Sequence, residues 1–122
     1  MRLEYYMTIS EKIVESVNNY VRSCGTMTAM SRRELFLLVS ETYDINYNSF
    51  LPQDYCYNRT NIGIKFTEHS HVLEYIDADC YRLLGENYPY TGLIIHKPKG
   101  FVEIEVGQWE NGEAVFFDER YS

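Results

Sequence analysis

The densest recognition chemistry in this chain lies in one polar string: Gln53, Asp54, Tyr55, Tyr57, Asn58, Arg59 and Asn61. Carboxamides of Asn and Gln match the edge of adenine, a guanidinium forks onto guanine or phosphate, and a phenol stacks on an unpaired base. Arg32 and Arg33 upstream, and Lys65, Lys97 and Lys99 downstream, supply cations for phosphate. The expected nucleic-acid face is therefore Arg32, Arg33, Gln53, Tyr55, Tyr57, Asn58, Arg59 and Lys65. The same types have a second use. Asp54, Tyr55 and Asn58 can instead hold a loop or a helix end by local hydrogen bonds.

The constellations that would support catalysis are thinner. His69-Ser70-His71 puts two imidazoles on one face of an extended segment, which can begin a metal site. A third ligand, from Asp77, Asp79 or His96, needs the fold to bring it close. Cys56 and Cys80 lack an adjacent base to activate a thiol, and no histidine precedes Cys56 in the chain. Glu103-Ile104-Glu105 sets two carboxylates on one face of a strand, without the lysine that nuclease chemistry uses. No phosphate-cradling glycine loop and no G-x-S-x-G elbow is present. The expectation is a non-enzymatic protein with no cofactor and no metal.

Charge divides the chain. Residues 1–60 carry seven acids and six bases, and residues 61–122 carry eleven acids and five bases, within a formal net charge of −7. An acidic surface repels polyphosphate at long range, so a nucleic-acid face must be local and in the first half. The acidic second half suits a basic protein surface instead. Glu103, Glu105, Glu110, Glu113, Asp118 and Glu119 are the residues expected to make that contact, spaced to stand in for phosphates in a nucleic-acid channel. Twelve tyrosines, clustered at 5–6, 43–57 and 75–90, serve interface and core equally well.

The composition is that of a folded chain: 45% of the 122 residues are apolar, a length that suits one domain. No apolar run approaches the roughly 20 residues of a membrane helix. The first residues, Met1-Arg2-Leu3-Glu4-Tyr5-Tyr6, show no signal-peptide core, so a cytoplasmic location is expected. Three widely spaced cysteines with no CxxC pair indicate free thiols, not a disulfide framework.

These residues need elements to position them. Thr8-Ile9-Ser10-Glu11 and Ser31-Arg32-Arg33-Glu34 are capping boxes, each followed by an apolar stripe at spacings of three and four. They predict helices over 8–24, ended by Gly25, and 31–43. Pro52 fits the first turn of a short third helix near 50–59. From Ile62 the period falls to two, through Gly63 and Ile64. Strands are predicted over 72–76 and 80–84 around Asp77-Ala78-Asp79, over 91–96, and over 101–109 and 114–117 around Asn111-Gly112. Asn-Gly is the strongest short hairpin signal. The fold class expected is α+β, winged helix-turn-helix-like: two to three N-terminal helices, then antiparallel β-hairpins. Residues 1–122 form one domain, helical over about 8–60 and β over about 62–117, with the third helix presented outward.

Three stretches carry a family resemblance: Ser31-Arg32-Arg33-Glu34-Leu35, then residues 49–59 with Asp54-Tyr55-Cys56-Tyr57-Asn58-Arg59, then Gly85-Glu86-Asn87-Tyr88-Pro89-Tyr90-Thr91-Gly92. Together they resemble an uncharacterised bacterial and phage domain with the pattern S-x-L-P-S-D-Y-C-Y-N-R, where Gln53 here replaces the second serine. The resemblance covers roughly residues 30–112. It implies a winged-helix-like fold and association with restriction and DNA-processing proteins, and it supplies no catalytic residues. Two functions are expected from these observations. One is a recognition module that binds DNA through residues 49–61. The other is a small acidic, phage-type inhibitor, anti-CRISPR-like or otherwise anti-defence, that binds a nucleic-acid-processing enzyme, with DNA mimicry as one route.

Overall fold

A computed structural model describes residues 7–62, 65–98 and 100–122. Helix α1 spans Ile9–Cys24. Thr8 accepts from the Glu11 N–H at 3.1 Å, and Glu11 accepts from the Thr8 N–H at 3.0 Å, so the predicted capping box closes in both directions. Gly25, at φ 78°, ends the helix by donating its N–H to the Val21 carbonyl. The second box, Ser31 with Glu34, starts α2 (Arg32–Ser40). Strand β1 (Ala29–Met30) lies between the helices and pairs with β3 (Cys80–Leu83), which in turn pairs with β2 (Leu73–Asp77). All pairings are antiparallel, in the order β1-β3-β2. A second antiparallel sheet, β4-β5-β6, comprises β4 (Gly92–His96), β5 (Ile104–Glu110) and β6 (Glu113–Phe116). Asn111 (φ 54°) and Gly112 (φ 88°) make the β5–β6 turn, with the two positive φ angles that a type I′ hairpin requires.

The winged-helix expectation is overturned. The described chain has two α-helices and two three-stranded antiparallel sheets, mostly β with a small helical part. The third helix near 50–59 does not form. Tyr47–Ser49 and Pro52–Tyr55 are single 3₁₀ turns, and Cys56 and Arg59 make isolated β-bridges on either side of a turn at Tyr57-Asn58. Pro52 fixes φ and removes a donor, while Tyr, Cys, Asn and Thr gain little from a helix. Helix α2 also stops three residues early, and Leu37 is exposed, so this helix buries a single face. Phe66 sits in a 3₁₀ turn, Phe66–Glu68, not in a period-two strand. Gly63 and Ile64 of that predicted alternation, Lys99, and the N-terminal residues 1–6 lie outside the described residues.

Two cores follow from this architecture. Ile13 and Val17 of α1, Leu35 and Val39 of α2, Phe50, and Leu73 and Leu83 of the first sheet pack together. Phe66, Ile94, Val106 and Tyr121 form the core beneath the second sheet. A small aromatic cluster of Tyr57, Leu84 and Tyr90 contacts Tyr88 and Trp109. Gly107, in the middle strand of the second sheet, faces Ile94 and Phe116 across its neighbours. A Cβ there would stand 2.6 Å from the Val115 carbonyl oxygen, too close for any rotamer to relieve. Gly107→Ala is expected to destabilise the domain by about 1–3 kcal/mol through overpacking, seen as a lower urea midpoint at unchanged m-value.

Candidate functional site

The recognition string is built into the seam between the two sheets. The Val72 N–H donates to the Tyr55 carbonyl at 2.9 Å, and the Tyr57 N–H donates to the Leu73 carbonyl at 2.8 Å. These bonds lay Cys56 parallel to Leu73 on the free edge of β2. The other edge of the same segment serves β4. The Ile95 N–H donates to the Asn58 carbonyl, and the Thr60 N–H donates to the Ile95 carbonyl, both at 3.0 Å. Asn58 continues the first ladder with its side chain. Its Oδ1 accepts from the Tyr75 N–H at 2.8 Å, and its Nδ2 donates to the Tyr75 carbonyl at 2.9 Å. One short segment thereby closes an edge of both sheets.

The remaining side chains of the string are engaged in the same seam. The Tyr57 hydroxyl donates to the Gly85 carbonyl at 2.6 Å and accepts from the Tyr88 N–H at 3.2 Å. The Trp109 indole N–H donates to the Tyr57 carbonyl at 2.6 Å. Cys56 is fully buried, and burial pushes its thiol far above the ordinary range, so a nucleophilic thiolate is disfavoured there. The Arg59 guanidinium lies 4.0 Å over the Tyr75 ring and pairs with Glu103 at 3.1 Å. Arg32 donates to the Phe50 and Tyr47 carbonyls, both at 3.0 Å, and lies 4.3 Å over the Tyr47 ring. Tyr55 is buried, and burial raises its phenol pKa. Of the residues predicted to form a nucleic-acid face, Arg33, Gln53 and Lys65 are exposed, and Lys65 lies 3.9 Å from Glu68.

The predicted protein-binding acids are distributed differently. Glu103 is paired with Arg59. Asp118 takes both oxygens to the Arg120 guanidinium, which holds its carboxyl below the usual carboxylate range. Glu105, Glu110, Glu113 and Glu119 are exposed, and Glu110 stands opposite Glu113 across the β5–β6 hairpin. The candidate metal residues do not converge. His96 Nδ1 lies 2.8 Å from the Tyr121 hydroxyl, and among the described residues no three His, Cys, Asp or Glu side chains are grouped to hold a metal ion. All three cysteines are free thiols.

Where the sheets meet, a cleft of about 410 Å³ opens. Buried Tyr57, Phe66 and His71 line its floor, half-buried Tyr88 and Trp109 its rim, and Glu86 and Asn87 its mouth. His71 stacks on Phe66, with ring centroids 4.0 Å apart. Its Nε2 lies 3.0 Å from the Phe66 carbonyl, which only accepts, so that nitrogen carries the proton. Burial lowers the His71 pKa to about 4, against the opposing pull of the Phe66 and Cys56 backbone. None of the lining residues is a lysine or an arginine. Sequence reasoning passed over Phe66, His71, Tyr88 and Trp109 as a group. Their only trace in the sequence is the excess of tyrosine and a lone tryptophan.

Comparison with known proteins finds a matching family and a bacterial relative. A family model described as "Domain of unknown function (DUF7225)" matches residues 8–116. The chain is 41% identical over 107 residues to "Uncharacterized protein YnaC" of Bacillus subtilis (strain 168), a match that covers 87% of this chain and 38% of that protein. The chain thus spans well under half the length of this curated relative. No solved structure matches it.

Two outcomes follow from the seam. Asn58→Ala leaves the Tyr75 N–H and carbonyl without partners in a half-buried setting, and should cost roughly 2 kcal/mol of unfolding free energy in urea. The second concerns acid. An unfolded imidazole titrates at 6.5 and His71 at about 4, so between these values the unfolded chain binds more protons. Stability should therefore fall as pH drops from 6.5 to about 4, by up to about 3 kcal/mol, and His71→Phe should flatten that slope in urea unfolding across the same range.

Proposed function

The chain belongs to the DUF7225 family, and we propose that it is a non-enzymatic recognition module that binds a basic, nucleic-acid-handling protein through the acidic face of its second sheet. One contrast carries this reading. The guanidinium groups of Arg32 and Arg59 are engaged inside the molecule, while Glu105, Glu110 and Glu113 stand exposed on the β5–β6 hairpin. Among the described residues these three carboxylates form no ion pair, so their charge is available to a partner. The net charge of −7 steers a basic surface toward them. The resemblance of Asp54-Tyr55-Cys56-Tyr57-Asn58-Arg59 to domains of restriction and DNA-processing systems supports a nucleic-acid-handling partner in the cytoplasm. As an inhibitor of such a partner, anti-CRISPR-like or otherwise anti-defence, the module would place carboxylates where phosphates otherwise sit.

Direct binding of DNA through residues 49–61 is the second reading, favoured by the exposure of Gln53 together with Arg33 and Lys65. The two separate in one titration series. An oligo-arginine peptide, a duplex and a single-stranded oligonucleotide, each labelled, are followed by fluorescence anisotropy at low salt. The peptide should bind and the nucleic acids should not. Glu110→Lys with Glu113→Lys should weaken peptide binding about tenfold, while Glu41→Lys at the end of α2 should leave it unchanged. Retention of either nucleic acid, lost on Arg33→Ala with Lys65→Ala, overturns the protein-binding reading in favour of the DNA-binding one.

A further inference from the structure

The cleft at the sheet junction joins three properties that belong to cation recognition. Its floor and rim are aromatic: Tyr57, Phe66, Tyr88 and Trp109. Rings in such clusters attract cations through the negative potential of their faces. Two histidines line the cleft, His69 and His71; His71, on the floor, has its proton fixed on Nε2 beside the Phe66 carbonyl, so that ring adds no positive charge at neutral pH. At its mouth stands Glu86, positioned by Asn18. The Asn18 Nδ2 donates to Glu86 Oε1 and the Glu86 N–H donates to Asn18 Oδ1, both at 2.9 Å. Glu86 Oε2 is left facing no partner among the described residues. A phosphate-bearing ligand would find no lysine or arginine in the lining, only the imidazoles of His69 and His71, and one carboxylate at the entrance.

We infer that the cleft is a socket for one cationic side chain, arginine or lysine, presented by the partner. A volume of about 410 Å³ holds one long side chain, and the alkyl stem would lie along the rings while the charged head reaches Glu86. The planar guanidinium is the better fit, because it stacks on an aromatic face and still donates in plane to a carboxylate. The inference rests on the protein-binding reading only for the source of the cation. The socket itself stands on the geometry of the cleft, which opens beside the β5–β6 hairpin: Trp109 lies in β5, and Gly112 of its turn and Ala114 of β6 also line the cleft.

Trp109 is the only tryptophan in the chain and lies on the rim, so its emission reports occupancy. N-acetyl-arginine amide should shift that emission saturably in the millimolar range, with matching changes in the indole N–H and His71 resonances by NMR. The uncharged N-acetyl-citrulline amide should bind at least about tenfold more weakly. Glu86→Gln and Tyr88→Ala should each weaken binding several-fold without moving the thermal midpoint by more than a few degrees. The inference is overturned if the citrulline compound binds as well as the arginine one, if adenosine or adenosine monophosphate binds better than either, or if no cation perturbs Trp109. The two proposals fail separately. Oligo-arginine binding that is indifferent to Glu86→Gln and Tyr88→Ala removes the socket and leaves the acidic face. Occupancy of the cleft without peptide binding to the β5–β6 hairpin does the reverse.

Discussion

Two sets of backbone bonds from one short segment, residues 55–60, hold the molecule together. One set completes the first sheet beside β2, and the other completes the second sheet beside β4. A central strand normally needs backbone partners along its whole length on both sides, because a buried N–H or carbonyl left alone costs about 1–3 kcal/mol. Here the segment crosses from one sheet to the other. Its backbone pairs with β2 at Tyr55 and Tyr57, and with β4 at Asn58 and Thr60. At the crossing point the Asn58 carboxamide imitates a peptide group and satisfies Tyr75 in both directions. A glutamine would be one methylene too long for this position, and an aspartate would lack the donor.

The seam explains why the most conspicuous polar residues of the chain are internal. Arg59 neutralises Glu103 and covers Tyr75, Tyr57 seals the junction by bonding Gly85, and Cys56 fills the first core. Residue types that read nucleic acid are also the types best suited to joining sheets, since both tasks need forked donors and flat rings. Burial decides between the tasks, and burial belongs to the assembled fold. The cleft is a by-product of the same geometry. The two sheets are bridged by one connecting segment, and the cleft beside it is lined by Tyr57, by the turn at Phe66, by His71 and by the middle strand at Trp109.

The second half of the chain was legible in a different way. Its acidity is a property of composition, and composition survives folding on an exposed hairpin: Glu105, Glu110 and Glu113 stay in solvent. Glu103 and Asp118 look identical to them in the sequence. Each nevertheless meets an arginine, Arg59 from 44 residues away and Arg120 from two residues away. The nearer pairing is local and open to sequence reasoning, whereas the distant one depends on β5 starting alongside the seam.

The sequence by itself determined whatever depends on neighbours along the chain. The capping boxes at Thr8 and Ser31 start both helices, Gly25 stops the first, and Asn111-Gly112 turns the last hairpin, because each device works through bonds or φ angles within a few residues. Tertiary structure alone decided the fate of residues 50–60. Their local pattern is compatible with a capped helix, and they become a 3₁₀ turn and a bridging segment because β2 and β4 offer them backbone partners on two sides. It also decided the cleft, whose walls come from positions 57, 66, 71, 88 and 109. No period or motif links those positions. They meet because one segment bridges two sheets, and that bridging is a contact between distant parts of the chain.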